Sequence, residues 1–205
     1  MTTMNRRHFL LASIVLLPAM PAWAGMLKGS TPLTGQREQG VWLAVQQLAG
    51  LRLTKPEEQT QIVFFFDPNC PACAKLWQWF DTMPRRDVAS MWIPVAYMKP
   101  TSEARAIALL RTADPYAALA QNFLTFDAAA WEGAMPPVKD ATLAEQSSLR
   151  KNTRYWSRSL FGATPLILYR AKAGGIWQEV GLSDAADLDR LLSQLATARL
   201  SAYTK

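Results

Sequence analysis

Histidine, cysteine and long apolar runs are all scarce in these 205 residues, and each scarcity excludes something. The one histidine, His8, sits in an N-terminal stretch with the form of an export signal. Arg6 and Arg7 make a positive start, Phe9 to Leu17 is apolar, and Ala22-Trp23-Ala24 is a small-x-small cleavage site. The apolar run is shorter than the roughly 20 residues of a membrane span, and Pro18 and Pro21 interrupt its far end. The expectation is a signal over residues 1–24, cleaved after Ala24. Asn5-Arg6-Arg7-His8-Phe9-Leu10 also resembles a twin-arginine signal, so the export route stays open between the two. No cysteine follows the cleavage point, which leaves a lipoprotein anchor without an attachment residue.

Loss of the signal removes the histidine and two arginines but no acid, so the formal charge falls from +6 to +4. This excess is modest, and basic and acidic residues are interspersed, which argues against a nucleic-acid partner. Half of the chain is apolar and eight tryptophans supply large buried surfaces. One compact globular domain is expected.

The cysteines, Cys70 and Cys73, are four residues apart inclusive. An exported protein with two cysteines invites the reading of a structural disulfide. A loop this short is worth only roughly 2 kcal/mol in the chain-entropy model, a small gain for a domain of this size. A CxxC pair suits switching better, because a thiolate and its resolving thiol stay within reach. Zinc normally takes four ligands, and two cysteines with no retained histidine fall short, so no metal is expected there. Cu(I) held by two thiolates remains a rival reading.

Local context sharpens the chemistry. Gln61 to Phe66 reads as a strand and Asp67-Pro68-Asn69 as a turn. From Pro71 the apolar positions Ala72, Leu76, Trp77, Trp79, Phe80 and Met83 recur at helical spacing until Pro84. Cys70 then falls at the N-cap, Pro71 at N1 and Cys73 at N3. A Cys70 thiolate accepts first-turn N–H groups and faces the positive end of the helix dipole, which lowers its pKa from about 8.5 into roughly 3.5–7.5. Cys73, one turn in, is more buried and less acidic. Cys70 attacks and Cys73 resolves. Pro71 and Ala72 between them tune thiolate stability.

FFFDPNCPAC with its Trp-rich helix, then VAYMKPTSEARAIALLRTADP, GATPLILY and EVGLSDAADLDRLL, resembles in order the catalytic domain of a known family. These are the bacterial periplasmic disulfide isomerases of the DsbC/DsbG type, nearest the DsbG branch, and the likeness covers roughly residues 60–198. It implies an α/β, thioredoxin-like fold with a helical insertion between the second strand and the cis-proline strand. It also implies that Pro165 is the cis-proline, with Thr164 before it, and that an extended client peptide pairs with the Thr164 backbone beside Cys70. The sequence departs from the family in the Pro71-Ala72 dipeptide, which lacks an aromatic residue. It departs again upstream, where residues 25–59 are too few for the family's dimerisation domain and linker helix.

Gly25 to Arg37 reads as a mobile entry segment, and Val41, Trp42, Val45 and Leu48 as a short helix closed by Gly50. Lys55 to Thr60 is a connector into a catalytic domain over 60–205. A second strand is expected over Met91 to Tyr97, with Pro94 marking a bulge or an edge. The helical insertion spans about 101–160, with Asp114-Pro115 starting one helix and a Thr142-x-x-Glu145 capping box another. Gly174-Gly175 joins Leu166–Tyr169 to Ile176–Val180 as a hairpin. A closing helix begins at Ser183 or Asp184 and buries Leu188, Leu191, Leu192 and Leu195. The Trp77–Trp79 pair reads as core rather than client groove.

The expectation is a periplasmic thiol–disulfide oxidoreductase without a cofactor, acting on client proteins with cysteines or disulfides. A membrane redox partner of the DsbD or DsbB type would reset it. The chain is expected to be monomeric. The alternative is a non-enzymatic chaperone or copper carrier that uses the same two thiols.

Overall fold

The computed structural model describes residues 30–53, 59–83 and 88–196. The export signal with its cleavage site, Lys55 and Pro84 lie outside the described residues. Among those described, the elements run β1 (Thr31–Pro32), α1 (Gln36–Val45), β2 (Leu51–Leu53), β3 (Ile62–Phe66), α2 (Pro71–Thr82) and β4 (Ser90–Pro94). There follow α3 (Ser102–Leu110), α4 (Pro115–Leu124), α5 (Leu143–Ser159), β5 (Leu166–Arg170), β6 (Ile176–Val180) and α6 (Ala185–Ser193). The six strands form one sheet in the order β1-β6-β5-β3-β4-β2.

Strand β3 occupies the middle, parallel to β4 and antiparallel to β5, and all five of its residues are buried. This is why QIVFFF is apolar without alternation: both of its faces meet helices. Ile62, Phe64 and Phe66 join one core cluster with Trp77 and Phe80 of α2, Leu119 of α4 and Leu188 of α6. Val63 and Phe65 point the other way, toward Val41, Trp42 and Val45 of α1 and Trp156 of α5. Phe64 stacks on Trp92, its register partner across the ladder, at 4.3 Å between ring centroids. Period-two alternation thus divides one apolar strand between two cores.

The thioredoxin-like fold and its helical insertion are as the sequence led us to expect, but the N-terminal region differs. The supposed entry segment contributes β1, with Thr31 opposite Gln178 and Pro32 opposite Trp177 of β6, and Leu33 N–H donates to Ile176 O at 2.8 Å. Strand β2 was not expected at all. It is three residues long, too short for an apolar alternation to register, and pairs antiparallel with Ser90–Trp92. Residues 30–53 therefore supply both edge strands of the sheet. Gly50 does not close α1, whose C-cap is Gln46. It lets the backbone approach β4, since a Cβ there would lie 2.7 Å from Met91 Cε and 3.1 Å from Trp92 O.

Strand β4 stops at Pro94 rather than Tyr97, and Pro94 is neither a bulge nor on an edge strand. Beyond Val95, whose N–H still reaches Phe66 O, the amides of Tyr97 and Met98 turn to the Asp67 carboxylate instead of the ladder. Helix α2 ends with Met83 extended, the conformation favoured for a residue before proline. Asp184 caps α6, and Leu195 is buried beyond the helix, bridged to Ala171.

Candidate active site

The end of β3 delivers the chain into a tightly held turn. Asn69 N–H and Cys70 N–H donate to Asp67, the first to Oδ1 at 2.9 Å and the second to the carbonyl at 3.0 Å. The buried Asp67 carboxylate also accepts from Ser102 Oγ at 2.8 Å and from the Tyr97 and Met98 amides at 2.8 and 3.0 Å. Asn69 donates to Thr101 Oγ1 and Ser102 Oγ, and accepts from Gly133 N–H at 3.1 Å. Asn122 of α4 donates to Pro68 O at 3.0 Å. Every residue of the turn is thus fixed by the helical insertion, and the position of Cys70 is fixed with it. A Cβ at Gly133 would collide with Asn122 Oδ1 and Pro68 O, so only glycine permits this approach.

Cys70 occupies the N-cap of α2, Pro71 follows at N1, and Cys73 N–H donates to Cys70 Sγ at 3.4 Å. No acidic residue stands in the first turn to oppose a negative sulfur. The Cys73 side chain, the Thr164 hydroxyl and the amides of Cys73 and Ala72 all stabilise the thiolate; burial opposes them, and the Cys70 pKa falls from 9.0 to about 7. Cys73 behaves in the opposite way. Complete burial, then the neighbouring Cys70, push its pKa well above the ordinary value. The two thiols of one motif are held far apart in acidity by a single helical turn.

The Thr164–Pro165 bond is cis, and Cys70 Sγ donates to Thr164 O at 3.7 Å. Residues 94 positions apart in sequence therefore meet at the sulfur. Cys70 is only 3% exposed. A groove of about 330 Å³ is lined by Ala72, Lys75, Leu76, Trp79, Pro165 and Leu182. The tryptophan pair divides: Trp77 is fully buried against Trp92 and Phe80, while Trp79 reaches the groove.

All six residues singled out from sequence, Cys70, Pro71, Ala72, Cys73, Thr164 and Pro165, lie together. Sequence reasoning missed their supports: Asp67, Asn69, Tyr97, Asn122 and Trp156. One signal was available for Asn122, and for Asn152 besides. Asn122 on α4 and Asn152 on α5 stand among the buried positions of their helices, where a polar side chain must find a partner.

Strand, turn, a helix capped by the first cysteine of CPAC, and Thr-Pro opposite it define a thioredoxin-like fold carrying a dithiol. Within that class the chain resembles the bacterial thiol:disulfide interchange proteins. It is 26% identical over 156 residues to the thiol:disulfide interchange protein DsbG of Pseudomonas aeruginosa, covering 74% of this chain and 58% of that protein. Similarity to DsbG of Escherichia coli has the same identity and covers 60% of it. The chain spans less than two thirds of the length of these relatives. Among solved structures, Proteus mirabilis ScsC is 24% identical with a TM-score of 0.59, over 77% of this chain and 78% of that one. The thiol-disulfide exchange protein α-DsbA2 of Wolbachia pipientis is 16% identical with a TM-score of 0.52, over 77% of this chain and 92% of that one. Both support the fold. No family model matches the chain.

Proposed function

We propose that this chain is a periplasmic thiol–disulfide oxidoreductase that exchanges disulfides with client proteins through Cys70 and Cys73. The observation that carries the reading is the opposed acidity of the two thiols: Cys70 lowered to about 7 at a helix N-cap, Cys73 raised by burial one turn away. At neutral pH this supplies a nucleophile in substantial amount and a resolving thiol that stays protonated until needed.

In the reducing direction the Cys70 thiolate attacks one sulfur of a client disulfide. A Cys70–client S–S bond forms, the client S–S bond breaks, and the departing client sulfur leaves as a thiolate. Cys73 then yields its proton to solvent or to that thiolate and attacks Cys70 Sγ. The Cys70–Cys73 disulfide forms and the second client thiol is released. The client gains two electrons and the CxxC pair loses two. In reverse, the oxidised pair installs a disulfide in a client. A Cys70 pKa near 7 suits reduction or isomerisation, since a strong oxidant needs a much more acidic attacking thiol. Resetting the pair for reduction calls for a membrane donor of the DsbD type, and for oxidation an acceptor of the DsbB type. No cofactor is required. Thr164, 3.7 Å from Cys70 through its carbonyl, offers backbone on which an extended client segment can pair.

Trapping tests the reading. A Cys73→Ser chain incubated with a reducible, disulfide-containing client should accumulate a mixed disulfide on Cys70, because the resolving step is removed. Cys70→Ser should accumulate none. Absence of adducts on Cys73→Ser, or function retained when both cysteines are replaced, would point instead to a non-enzymatic protein.

A further inference from the structure

Within the helical insertion, the loop from Asp127 to Glu132 holds Trp131 at φ 55°, and this is the one non-glycine residue with positive φ among the described residues. Glycine adopts that conformation freely, whereas a bulky side chain there is an outlier. The indole gains nothing inside the molecule in return. It is 54% exposed, and among the described residues it has no aromatic or hydrogen-bonding partner. The backbone around it is nevertheless fixed. Asp127 and Glu132 exchange both main-chain hydrogen bonds, at 2.8 and 3.0 Å, and Asp127 Oδ1 accepts from the Ala129 and Ala130 amides at 2.9 Å. Strained residues persist where their surroundings hold them, and they gather at functional sites.

Two connections tie this loop to the dithiol. Two residues beyond Trp131, Gly133 N–H donates to Asn69 Oδ1 at 3.1 Å, and Asn69 precedes Cys70. Chain geometry therefore keeps the Trp131 Cα within about 17 Å of the Cys70 Cα. One residue before Trp131, Ala130 O accepts from Lys99 Nζ, and Lys99 stands two residues after Tyr97. Tyr97 is 48% exposed and sets its hydroxyl 2.7 Å from Thr164 Oγ1. Its ring packs on Trp156 with centroids 4.7 Å apart, and Trp156 Nε1 donates to Ala163 O at 2.8 Å. Two exposed aromatic side chains, one beside Thr164 and one reached through Lys99, are thus anchored to the same site. Glu132 pairs with Lys99 at 3.6 Å and with Arg105 at 3.5 Å, so the charged neighbours are already engaged. What the loop presents is apolar.

We propose that Trp131 is a client-contact residue: it packs against an aromatic or large apolar side chain of an extended client segment, about four residues from the client cysteine that reacts with Cys70. Four extended residues cover about 13 Å, and the side chains at either end cover the rest. Tryptophan suits this task because it offers a large, rigid surface at low entropic cost and is enriched among the residues that dominate binding energy. The occupant is a client rather than a second copy, because disulfide exchange brings client backbone to Thr164 and Cys70, within reach of the indole. This deepens the exchange reading and rests on Cys70 as the attacking group.

The test uses two peptides, each with one cysteine carried as a mixed disulfide with thionitrobenzoate. One has phenylalanine at the fourth position on both sides of the cysteine, and the other has serine there. The Cys70 thiolate attacks the peptide sulfur, a Cys70–peptide S–S bond forms, the peptide–thionitrobenzoate S–S bond breaks, and the coloured thiolate leaves. The reduced full chain should react about five-fold faster with the phenylalanine peptide. Trp131→Gly should bring that ratio to about one, and Trp131→Phe should keep most of it. Trp131→Gly should also unfold in urea at no lower a midpoint than the parent, because glycine takes this φ freely. A ratio near one in the parent, an undiminished ratio in Trp131→Gly, or a clearly lower urea midpoint overturns the proposal and leaves the exchange reading intact. An undiminished ratio together with a smaller mass by light scattering assigns the indole to a second copy instead. A parent that releases no thiolate from either peptide overturns the exchange reading and this proposal with it.

Discussion

Asn152 bonds to Ala49 as a neighbouring strand would: its Nδ2 donates to Ala49 O at 2.8 Å, and its Oδ1 accepts from Ala49 N–H at 3.2 Å. The same Nδ2 donates to Pro94 O at 3.0 Å. Strand β2 begins at Leu51, opposite Trp92, so continuing the ladder would set Ala49 against Pro94. Proline has no N–H for that ladder. The α5 side chain fills the gap and ties the insertion to the edge of the sheet.

Replacing Asn152 with leucine should therefore destabilise the fold by about 3 kcal/mol, because buried backbone groups at Ala49 and Pro94 lose their partners at roughly 1–3 kcal/mol each. Urea unfolding followed by tryptophan fluorescence measures this. A loss below about 1 kcal/mol would show that the gap closes without the amide.

Asn152 also marks where sequence reading reached its limit. The strand–turn–helix around CPAC was legible because each piece has a local cause: β-branched and aromatic residues in the strand, Asp-Pro-Asn in the turn, proline at N1. The Gly174-Gly175 hairpin and the Thr142–Glu145 capping box were legible for the same reason, and both glycines have positive φ. What could not be read locally was anything defined by a distant partner. β1 and β2 have two and three residues, and only β6 and β4 make them strands. Tyr97 looked like the end of a strand until the Asp67 carboxylate drew its amide away. That Thr164 lies beside Cys70 came from family resemblance, not from spacing.

The lowered Cys70 pKa has a consequence for the stability of the reduced protein. A thiol whose folded pKa lies below its unfolded value stabilises the fold above the unfolded pKa, and that contribution is lost as pH falls through the folded pKa. With about 7 in the fold against 9.0 outside it, the reduced protein should gain about 1–2 kcal/mol between pH 7 and 8.5. Cys73, raised by burial, acts in the opposite sense as pH climbs beyond its unfolded value. Urea titrations of the parent and Cys70→Ser across this window isolate the effect. A gain of equal size in both proteins would assign it to some other group.

Helix α1 bears on the association state. Val41, Trp42 and Val45 are buried in the domain's own core, which leaves Leu43 as the large apolar side chain this helix exposes. That is far from the roughly 800 Å² per partner of a stable interface. Light scattering on residues 25–205 should give a monomer mass at micromolar concentration, with slow turnover of scrambled ribonuclease. A stable dimer with strong isomerase activity would contradict the expectation.

The central claim is that one turn of α2 separates an attacking thiolate from a resolving thiol. Its most direct test is the pH dependence of alkylation at both cysteines in the folded, reduced chain. The account predicts a Cys70 midpoint of about 7 and modification of Cys70 well before Cys73 at pH 6. Equal, slow modification of both residues, with midpoints near the value of about 8.5 for a free cysteine, would contradict it.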